Sequence, residues 1–431
     1  MITTHVLGDS FQEAQYRGFT EIRAAVEAGR RRLWEMPVKA IITLVDKLGQ
    51  RILADPKLRI VDGIPYLCLW LRRQNLTNLI RTTLGDERFL DAFFKTLNNQ
   101  RLIAQPRGLV CHWIAGNVLT LGMFSLVQSL LAKNGNVVKI PVDSAKVMAS
   151  MLRQLQGLEV CFKKQNFTGN ELLASLAVVS FSSQERQLNK EFSLIADAKI
   201  IWGGRQAVEK IVPLPQKETC HTIIFGPKYS FSVFDREFVE QGDLRDHLRR
   251  SVMDVVAFDQ SGCSSPHVFF VEEGGISLSE FGKILSCCFE EISQKYPKQG
   301  VDSATATTIL NARARYYLDP HREIIASSGT DWTILMDRSV TLEEPVMHRT
   351  VFLKEVDSLE QLIPLISKRV QTIGLGIKNE EKKRRFCLEA GYRGVDRFVS
   401  PGLMNNFDAP WDGLMTINHL VRWVCIKEIE R

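Results

Sequence analysis

The amino-acid chain has 431 residues, enough for two or three domains of roughly 100–200 residues each. Hydrophobic residues make up 45% of it and charged residues 24%, proportions that exclude a disordered or low-complexity protein. The net charge of +6 is spread along the chain, without the concentrated basic surface that nucleic-acid binding requires. We therefore expect a globular protein that does not bind nucleic acid.

The nine cysteines indicate whether the protein resides in a reducing or an oxidising cellular compartment. Their number is odd and their spacing irregular, which argues against a disulfide framework and favours a reducing environment. Residues 1–18 also lack the basic and apolar segments of a secretory signal. These observations predict a cytoplasmic protein.

Residues 108–132 are a candidate membrane span, because they contain no Asp, Glu, Lys or Arg and are long enough to cross a bilayer. His112, Asn117 and Gln128 interrupt the apolar run. Polar residues at these intervals favour burial inside a soluble core. We therefore predict no membrane span.

The first part of the chain has helical periodicity. Ala40, Ile41, Leu44, Val45 and Leu48 recur at the spacing of one helix face. We therefore predict a helical N-terminal region over residues 1–99.

Short apolar runs follow, separated by turn residues and amphipathic stretches. They cover residues 108–114, 137–140, 176–181, 199–202, 222–225 and 230–234, and a helix is predicted over 121–133. Strands that alternate with helices predict βαβ units and a mostly parallel sheet. We assign residues 100–255 to this α/β domain.

A second α/β domain is predicted over residues 256–414. A helix over 243–258 leads into it, and an amphipathic helix is predicted over 278–296. Its strand candidates are residues 267–271, 333–336 and 351–356. The predicted fold class is therefore α/β, with a helical N-terminal lead-in and two α/β regions.

Cys263 is the first candidate for chemistry. Gly262 precedes it and Ser264-Ser265-Pro266 follow, so the thiol lies at a tight turn between a helix and a strand. Such a turn can expose a nucleophile, and a nearby helix end or hydrogen-bond donor would favour the reactive thiolate. The alternative is a small buried apolar residue, which is our interpretation of most other cysteines.

Asn117 is the second candidate. It lies where a predicted strand breaks into a loop before the helix over 121–133. A side-chain amide beside the unpaired N–H groups of a helix start is the donor set that an oxyanion requires. The alternative is an ordinary helix N-cap, a position that Asn favours.

Taken in order, these segments resemble the aldehyde dehydrogenase superfamily, and within it the fatty acyl-CoA reductase family that supplies aldehyde to bacterial luciferase. The similar motifs are Ala-Gly-Asn-Val at 115–118, Trp-Gly-Gly at 202–204, Phe-Gly-Pro-Lys at 225–228, Asp-Gln-x-x-Cys-Ser-Ser-Pro at 259–266 and Pro-Trp-Asp-Gly at 410–413. The resemblance implies two lobes. One binds a dinucleotide, covers 100–255 and is rejoined by about 415–431, and the other is catalytic and covers 256–414.

The resemblance also implies roles for single residues. Cys263 would accept the acyl group, and the Asn117 amide and the Cys263 backbone N–H would form the oxyanion hole. The cofactor would be NADPH, or else NADH, although the chain has no Gly-x-Gly-x-x-Gly fingerprint. The residues implied for its binding are Lys139, Ser182, Ser183, Gly203 and Gly204.

Ile224 differs from the residue that hydrolytic aldehyde dehydrogenases have at this position, and the difference bears on whether the thioester is hydrolysed or reduced. Hydrolytic aldehyde dehydrogenases carry a Glu that activates water against the thioester, and Ile224 stands at the corresponding position here. Exclusion of that water protects a thioester intermediate. Together with this departure, the resemblance implies NADPH-dependent reduction of an acyl-CoA to an aldehyde, with coenzyme A as part of the substrate. A homo-oligomer is implied, and acyl-activating or acyl-transferase subunits are candidate partners.

Two alternatives stay open. One is an oxidising aldehyde or semialdehyde dehydrogenase, or a relative of glutamyl phosphate reductase; the other is a catalytically silent scaffold for acyl transfer. His267 follows Cys263 by four residues, but the superfamily uses no base there, and we expect no catalytic role for it. The eight histidines form no cluster at ligand spacing, so no metal site is predicted.

Overall fold

The computed structural model describes residues 1–96, 100–240, 242–298 and 300–427. The chain forms two compact units, one made of residues 1–226 with the chain from residue 407 onward, the other of residues 227–406. The border at Gly226 differs from the predicted border after residue 255. The reason is that residues 227–255 supply a central strand and a helix to the second unit.

The first unit begins with two strands, β1 (Ile2–Leu7) and β2 (Ala14–Tyr16). The predicted helical lead-in follows as α1 (Thr20–Glu35), α2 (Val38–Ala54), α3 (Ile64–Trp70) and α4 (Arg73–Leu84), then a 3-10 helix over Glu87–Leu90. The predicted apolar face of α2 is buried. The two opening strands, which helical periodicity did not predict, join the main sheet of this unit.

Strands and helices then alternate, as predicted. They are β3 (Phe94–Lys95), β4 (Gln100–Pro106), β5 (Leu109–Trp113), α5 (Leu121–Leu131), β6 (Gly135–Lys139), α6 (Val142–Arg153), β7 (Glu159–Phe162), β8 (Gln165–Thr168), α7 (Gly169–Ala174), β9 (Leu176–Ser180), α8 (Arg186–Ile195), β10 (Ala198–Trp202), α9 (Arg205–Ile211) and β11 (His221–Phe225). Helix α5, which lies within the uncharged segment, is almost entirely buried. No helix in the described part of the chain is long and apolar enough to cross a membrane.

The main sheet of this unit has the order β11-β10-β5-β6-β9-β1-β2. Its five strands from β5 to β11 run parallel, and β1 is antiparallel to β9. The chain moves outward from β5 through β6 to β9 and then returns to β10 on the other side of β5. The carboxyl ends of β5 and β10 therefore flank a topological switch point, where ligands bind in open α/β sheets.

The second unit begins at β12 (Tyr229–Phe234). The elements that follow are α10 (Arg236–Val239), α11 (Leu244–Val256), a 3-10 helix (Ala257–Gln260), β13 (Val268–Glu272), α12 (Leu278–Lys295), α13 (Ser303–Tyr317), β14 (Glu323–Ala326), β15 (Thr333–Asp337), β16 (Thr350–Val356), a 3-10 helix (Leu359–Leu365), β17 (Val370–Gly376), α14 (Glu380–Arg393) and β18 (Arg397–Val399). The sheet order is β14-β15-β16-β13-β12-β17-β18.

Both faces of this second sheet are covered. Side chains alternate along a strand, so Phe231 and Val233 of β12 enter one hydrophobic cluster and Phe234 enters the other. A sheet buried on both faces reads as a continuous apolar run, which explains why residues 230–234 were predicted as a strand.

The chain then returns to the first unit through α15 (Thr416–His419) and β19 (Val421–Lys427). The last strand pairs antiparallel with β4, from Val421 opposite Pro106 to Lys427 opposite Gln100. With β3 they form a separate three-stranded sheet. The return begins at residue 407, earlier than the expected 415.

Candidate active site

A cavity of about 600 Å³ lies in the first unit at the carboxyl ends of β5, β6 and β10. Four of the five residues predicted to bind a dinucleotide line it, namely Lys139, Ser183, Gly203 and Gly204. The fifth, Ser182, is adjacent in the chain, and its hydroxyl accepts the Gln184 N–H at 3.2 Å. The fold thus brings these residues together at the switch point, while their contact with a cofactor stays a prediction.

The cavity is lined by basic side chains. Arg186, Lys190 and Lys210 join Lys139 there, and none of the described lining residues is acidic. Arg186 and Lys190 are four residues apart on α8 and so share one face of that helix. Sequence reasoning missed these three cations, because their periodicity alone resembles that of any solvated helix surface. The lining suits an anionic ligand.

Buried hydrogen bonds fix the rim near Gly203. Trp202 donates its indole N–H to Ser125 Oγ at 3.1 Å, and that hydroxyl also bonds His112 Nδ1 at 2.8 Å. The other ring nitrogen of His112 lies 3.0 Å from Asn136 Oδ1. Burial lowers the pKa of His112 to about 4, so the ring is neutral at pH 7. Trp202 also stacks on Phe225 with centroids 3.8 Å apart.

Asn117 belongs to the first unit and is exposed in the loop between β5 and α5. The N-cap of α5 is Thr120, so the alternative interpretation of Asn117 as that cap is wrong. The loop passes close to Pro141, since a Cβ on Gly116 would lie 2.9 Å from Pro141 Cγ. Only glycine fits at that close approach.

Cys263 belongs to the second unit and lies on the loop between the 3-10 helix at 257–260 and β13. Its thiol is half-buried, and its carbonyl accepts the Ser230 hydroxyl at 2.7 Å. The predicted oxyanion hole, which would combine Asn117 with the Cys263 N–H, stays a prediction.

The other eight cysteines differ in burial, and Cys387 is intermediate. All nine lie in the described part of the chain and are free thiols. Cys68, Cys111, Cys220 and Cys288 are buried, as expected for small apolar residues. The expectation is wrong for Cys287 and Cys425, which are exposed, as Cys161 also is.

The backbone before Cys263 adopts an uncommon conformation. Phe258, Asp259 and Gln260 have φ angles of 57°, 46° and 63°. Left-handed residues other than Gly cost roughly 1–2 kcal/mol each, and such strain persists only where surrounding contacts hold it. The Asp259 carboxylate accepts from Arg349 Nε at 2.5 Å, which is one such contact.

His267 and Ile224 bear on which groups can act as bases. His267 is 3% exposed, and its Nδ1 has no hydrogen-bond partner among the described residues. Burial lowers its pKa to about 4, which leaves it neutral. Ile224 points an apolar side chain to solvent from β11. No group of three or more His, Cys, Asp or Glu within the described ranges could hold a metal.

Solved aldehyde dehydrogenases share the fold of nearly the whole chain. The acetylating aldehyde dehydrogenase from Geobacillus thermoglucosidasius matches with a TM-score of 0.65 at 14% identity, covering 96% of this chain and 97% of that one. An aldehyde dehydrogenase from Brucella melitensis biovar abortus 2308 gives 0.66 at 13% identity, covering 99% and 93%. The chain therefore has the aldehyde dehydrogenase fold, which confirms the predicted fold class.

The family is defined by sequence. The acyl-CoA reductase (LuxC) family matches residues 33–423. The long-chain acyl-protein thioester reductases of Photorhabdus luminescens and Vibrio harveyi are 25% identical over 359 residues and 23% over 358, each match covering 81% of this chain and 70% of the relative. The chain belongs to the acyl-CoA reductase (LuxC) family and is an oxidoreductase acting on acyl or aldehyde groups, as predicted.

Proposed function

We propose that the protein reduces a long-chain acyl thioester to the aldehyde through a covalent intermediate on Cys263, with NADPH as the reductant. The observation that carries the proposal is a half-buried thiol at the cysteine of the family motif 259–266. The first unit would bind the cofactor, and the second would carry the nucleophile. We expect a cytoplasmic homo-oligomer supplied by acyl-activating or acyl-transferase subunits.

The reaction begins at the Cys263 thiolate, which attacks the carbonyl carbon of the donor thioester. The bond between that carbon and the donor sulfur breaks, the donor sulfur leaves as a thiolate, and the acyl group remains on Cys263. The Cys263 N–H and the Asn117 amide would hold the negative oxygen during addition. Loss of one such donor costs on the order of 10²–10³ in rate.

The basic lining of the cavity in the first unit supports a nicotinamide dinucleotide phosphate as the cofactor. When bound, the cofactor supplies two electrons and a hydrogen to the acyl carbon. Lys139, Arg186, Lys190 and Lys210 provide cations for its phosphates. The lack of a described acidic lining residue favours NADPH, because NAD sites hold the ribose 2′-hydroxyl with a carboxylate. After reduction, the bond from carbon to Cys263 sulfur breaks and the aldehyde leaves.

The residue at position 224 bears on reduction against oxidation to an acid, and the names of the relatives bear on the acyl donor. Ile224 supplies no base to activate water, so the thioester on Cys263 persists until it is reduced. The curated relatives are named for acyl-protein thioesters, and acyl-CoA presents the same thioester group. Both donors are therefore candidates, and formation of acid without CoA would favour the oxidising alternative.

The covalent step is tested by incubation with radiolabelled long-chain acyl-CoA, or an acyl-protein thioester, in the absence of cofactor. We expect label on the peptide that contains Cys263, and none in Cys263→Ala. Cys287→Ala removes an exposed cysteine of α12 and should label normally. NADPH oxidation at the wild-type rate by Cys263→Ala would contradict the covalent mechanism.

The cofactor assignment is tested at α8. We assign Lys190 to the 2′-phosphate, which NADH lacks, so Lys190→Ala should raise KM for NADPH by about tenfold, the loss expected for one charge-assisted contact, while KM for NADH changes little. Lys164→Ala, in the turn between β7 and β8 and outside the cavity lining, is the control. Equal effects of Lys190→Ala on both cofactors would argue against a 2′-phosphate contact.

A further inference from the structure

Two buried side-chain amides hold the loop that carries Cys263, one on each side of it. Gln260 donates from Nε2 to the carbonyls of Pro266 at 3.0 Å and Thr350 at 3.1 Å, and its Oε1 accepts the Thr350 N–H at 2.8 Å. The first of these bonds closes the loop across its base. Gln260 is fully buried, so water does not compete for these bonds.

Asn405 holds the other side. Its Oδ1 accepts the hydroxyls of Ser264 at 2.8 Å and Ser265 at 3.2 Å, the two residues directly after Cys263. Its Nδ2 donates to the Asp254 carbonyl at 2.7 Å, at the end of α11. The amide thus ties the loop to the helix that leads into it, and Asn405 is only 5% exposed.

The segment that presents Asn405 is itself fixed. The Asp254 carboxylate accepts the N–H of Gly402 at 2.6 Å and of Met404 at 3.1 Å. Gly402 has φ 92°, and a Cβ there would lie 2.8 Å from Arg250 Cβ, so the turn requires glycine. Asp254 therefore anchors both the backbone and the side chain of this segment.

The left-handed residues before Cys263 are held against a second left-handed run. Met347, His348 and Arg349 have φ angles of 64°, 54° and 61°. The His348 N–H bonds the Asp259 carbonyl at 3.1 Å, beside the ion pair between Arg349 and Asp259. Gln260 follows Asp259 and bonds Thr350, which follows Arg349, so the contact between the two segments extends by one residue on each side. Two strained segments are thereby locked together immediately upstream of the thiol.

We propose that Gln260 and Asn405 are positioning residues that hold the Cys263 thiol in the geometry required for acyl transfer. The inference rests on the proposed function, because it needs Cys263 to be the nucleophile. Neither amide reacts; each limits the conformations of residues 261–266. A misplacement of about 1 Å in a reacting group can cost about 10²-fold in rate.

The test uses two variants that cut the same hydrogen bonds from opposite ends, Asn405→Ala and the double variant Ser264→Ala/Ser265→Ala. The double variant introduces no charge and keeps the protein measurable if Asn405→Ala folds poorly. We expect single-turnover acylation of Cys263 to slow about 10²-fold, with KM for the acyl donor within about twofold of wild type. Gln260→Ala should behave in the same way.

The matched control is Asn134→Ala in the first unit. Asn134 is also a buried amide, with Oδ1 accepting the Gly108 N–H at 3.0 Å and Nδ2 donating to the Leu420 carbonyl at 3.0 Å. It should lower the midpoint of urea unfolding comparably and leave the acylation rate within about twofold of wild type.

Alkylation by iodoacetamide, mapped by peptide, separates positioning from unfolding. A small reagent needs an accessible thiolate but not the geometry of acyl transfer, so Cys263 should alkylate within about threefold of the wild-type rate while buried Cys288 stays protected. Two results would overturn the inference. One is alkylation of Cys288 that increases in parallel with the loss of activity, and the other is acylation within twofold of wild type in all three loop variants. Absence of label on Cys263 in the wild type would instead contradict the proposed function.

Discussion

Lys354 places an ammonium group inside the sheet of the second unit. The side chain is fully buried on β16, and its Nζ donates to Asp337 Oδ1 at 3.1 Å, Thr341 Oγ1 at 2.9 Å and Glu343 Oε1 at 2.8 Å. Tyr316 donates its hydroxyl to the other Asp337 oxygen. A buried charge is tolerated only when its hydrogen bonds are satisfied, and here they are.

Removal of this cation leaves two carboxylates without compensation. Lys354→Met should therefore lower the free energy of unfolding by about 3–5 kcal/mol, measured by urea denaturation. Addition of Asp337→Asn to that variant should recover part of the loss, because it removes one of the uncompensated charges. No recovery would mean that packing, not charge, dominates at this site.

Two buried histidines make stability depend on pH. Burial lowers the pKa of both His112 and His267 to about 4, whereas an unfolded histidine titrates near 6.5. Between these values the unfolded chain binds more protons than the folded one. Their contribution to stability is therefore complete above pH 6.5 and is lost as the pH falls toward 4.

The urea midpoint should fall between pH 7 and pH 5, and His267→Phe should reduce that fall. Phenylalanine suits the site because His267 packs 5.3 Å from the Tyr229 ring and its Nδ1 is unbonded within the described residues. Burial raises the pKa of Asp254 to about 7, which acts in the opposite direction, so the comparison is between variant and wild type. An unchanged pH dependence in His267→Phe would contradict the assignment.

At the scale of elements, α1 and α7 pack so closely that a side chain cannot fit between them at one point. A Cβ on Gly29 of α1 would lie 1.8 Å from the Ala174 carbonyl oxygen at the end of α7. That neighbour is backbone and cannot move aside without shifting a helix. Gly29 is therefore a packing requirement in a helix whose propensity alone would favour alanine.

Gly29→Ala sets these two effects against each other. Helix propensity favours alanine by about 1 kcal/mol, but overpacking typically costs about 1–3 kcal/mol and exceeds this at such a short distance. We expect net destabilisation in thermal unfolding. Gly391→Ala in α14 is the control, because its Cβ would meet only Phe398 Cε2 at 3.8 Å, and it should be neutral or stabilising. Stabilisation by both substitutions would refute the close approach.

The elements that sequence predicts well are those with a strong local pattern. The face of α2 and the apolar run of β12 follow from spacing alone. The unit border was missed because an apolar run does not reveal which sheet it joins. The amide of Asn405 was missed for a related reason: it lies about 140 residues along the chain from the serines it bonds, and no local pattern records that contact.

At the scale of the whole molecule, the second unit is one continuous segment and the first is not. All strands from β12 to β18 pair within residues 227–406, and hydrophobic clusters cover both sheet faces. The first unit instead needs the chain after residue 407, which pairs β19 with β4 and buries Leu420 and Val421. A fragment of the second unit can therefore keep all its strand pairs, whereas a fragment of residues 1–226 loses the pairing of β4 with β19.

We expect the fragment 227–406 to unfold cooperatively in urea, since it keeps its sheet and both clusters. The fragment 1–226 should unfold at lower urea than a version joined by a short flexible linker to residues 407–427. Circular dichroism and tryptophan fluorescence would follow both transitions. A non-cooperative transition of fragment 227–406 would show that it depends on the remainder of the chain.

The pairing of β4 with β19 also has a consequence during translation. When β4 has just been synthesised, more than three hundred residues that separate it from its partner are still to be made. The second unit is complete before that partner arrives, so the part of the protein made first is finished last. Throughout that interval one edge of β4 offers unpaired backbone groups to other nascent chains, and slow synthesis would lengthen the exposure.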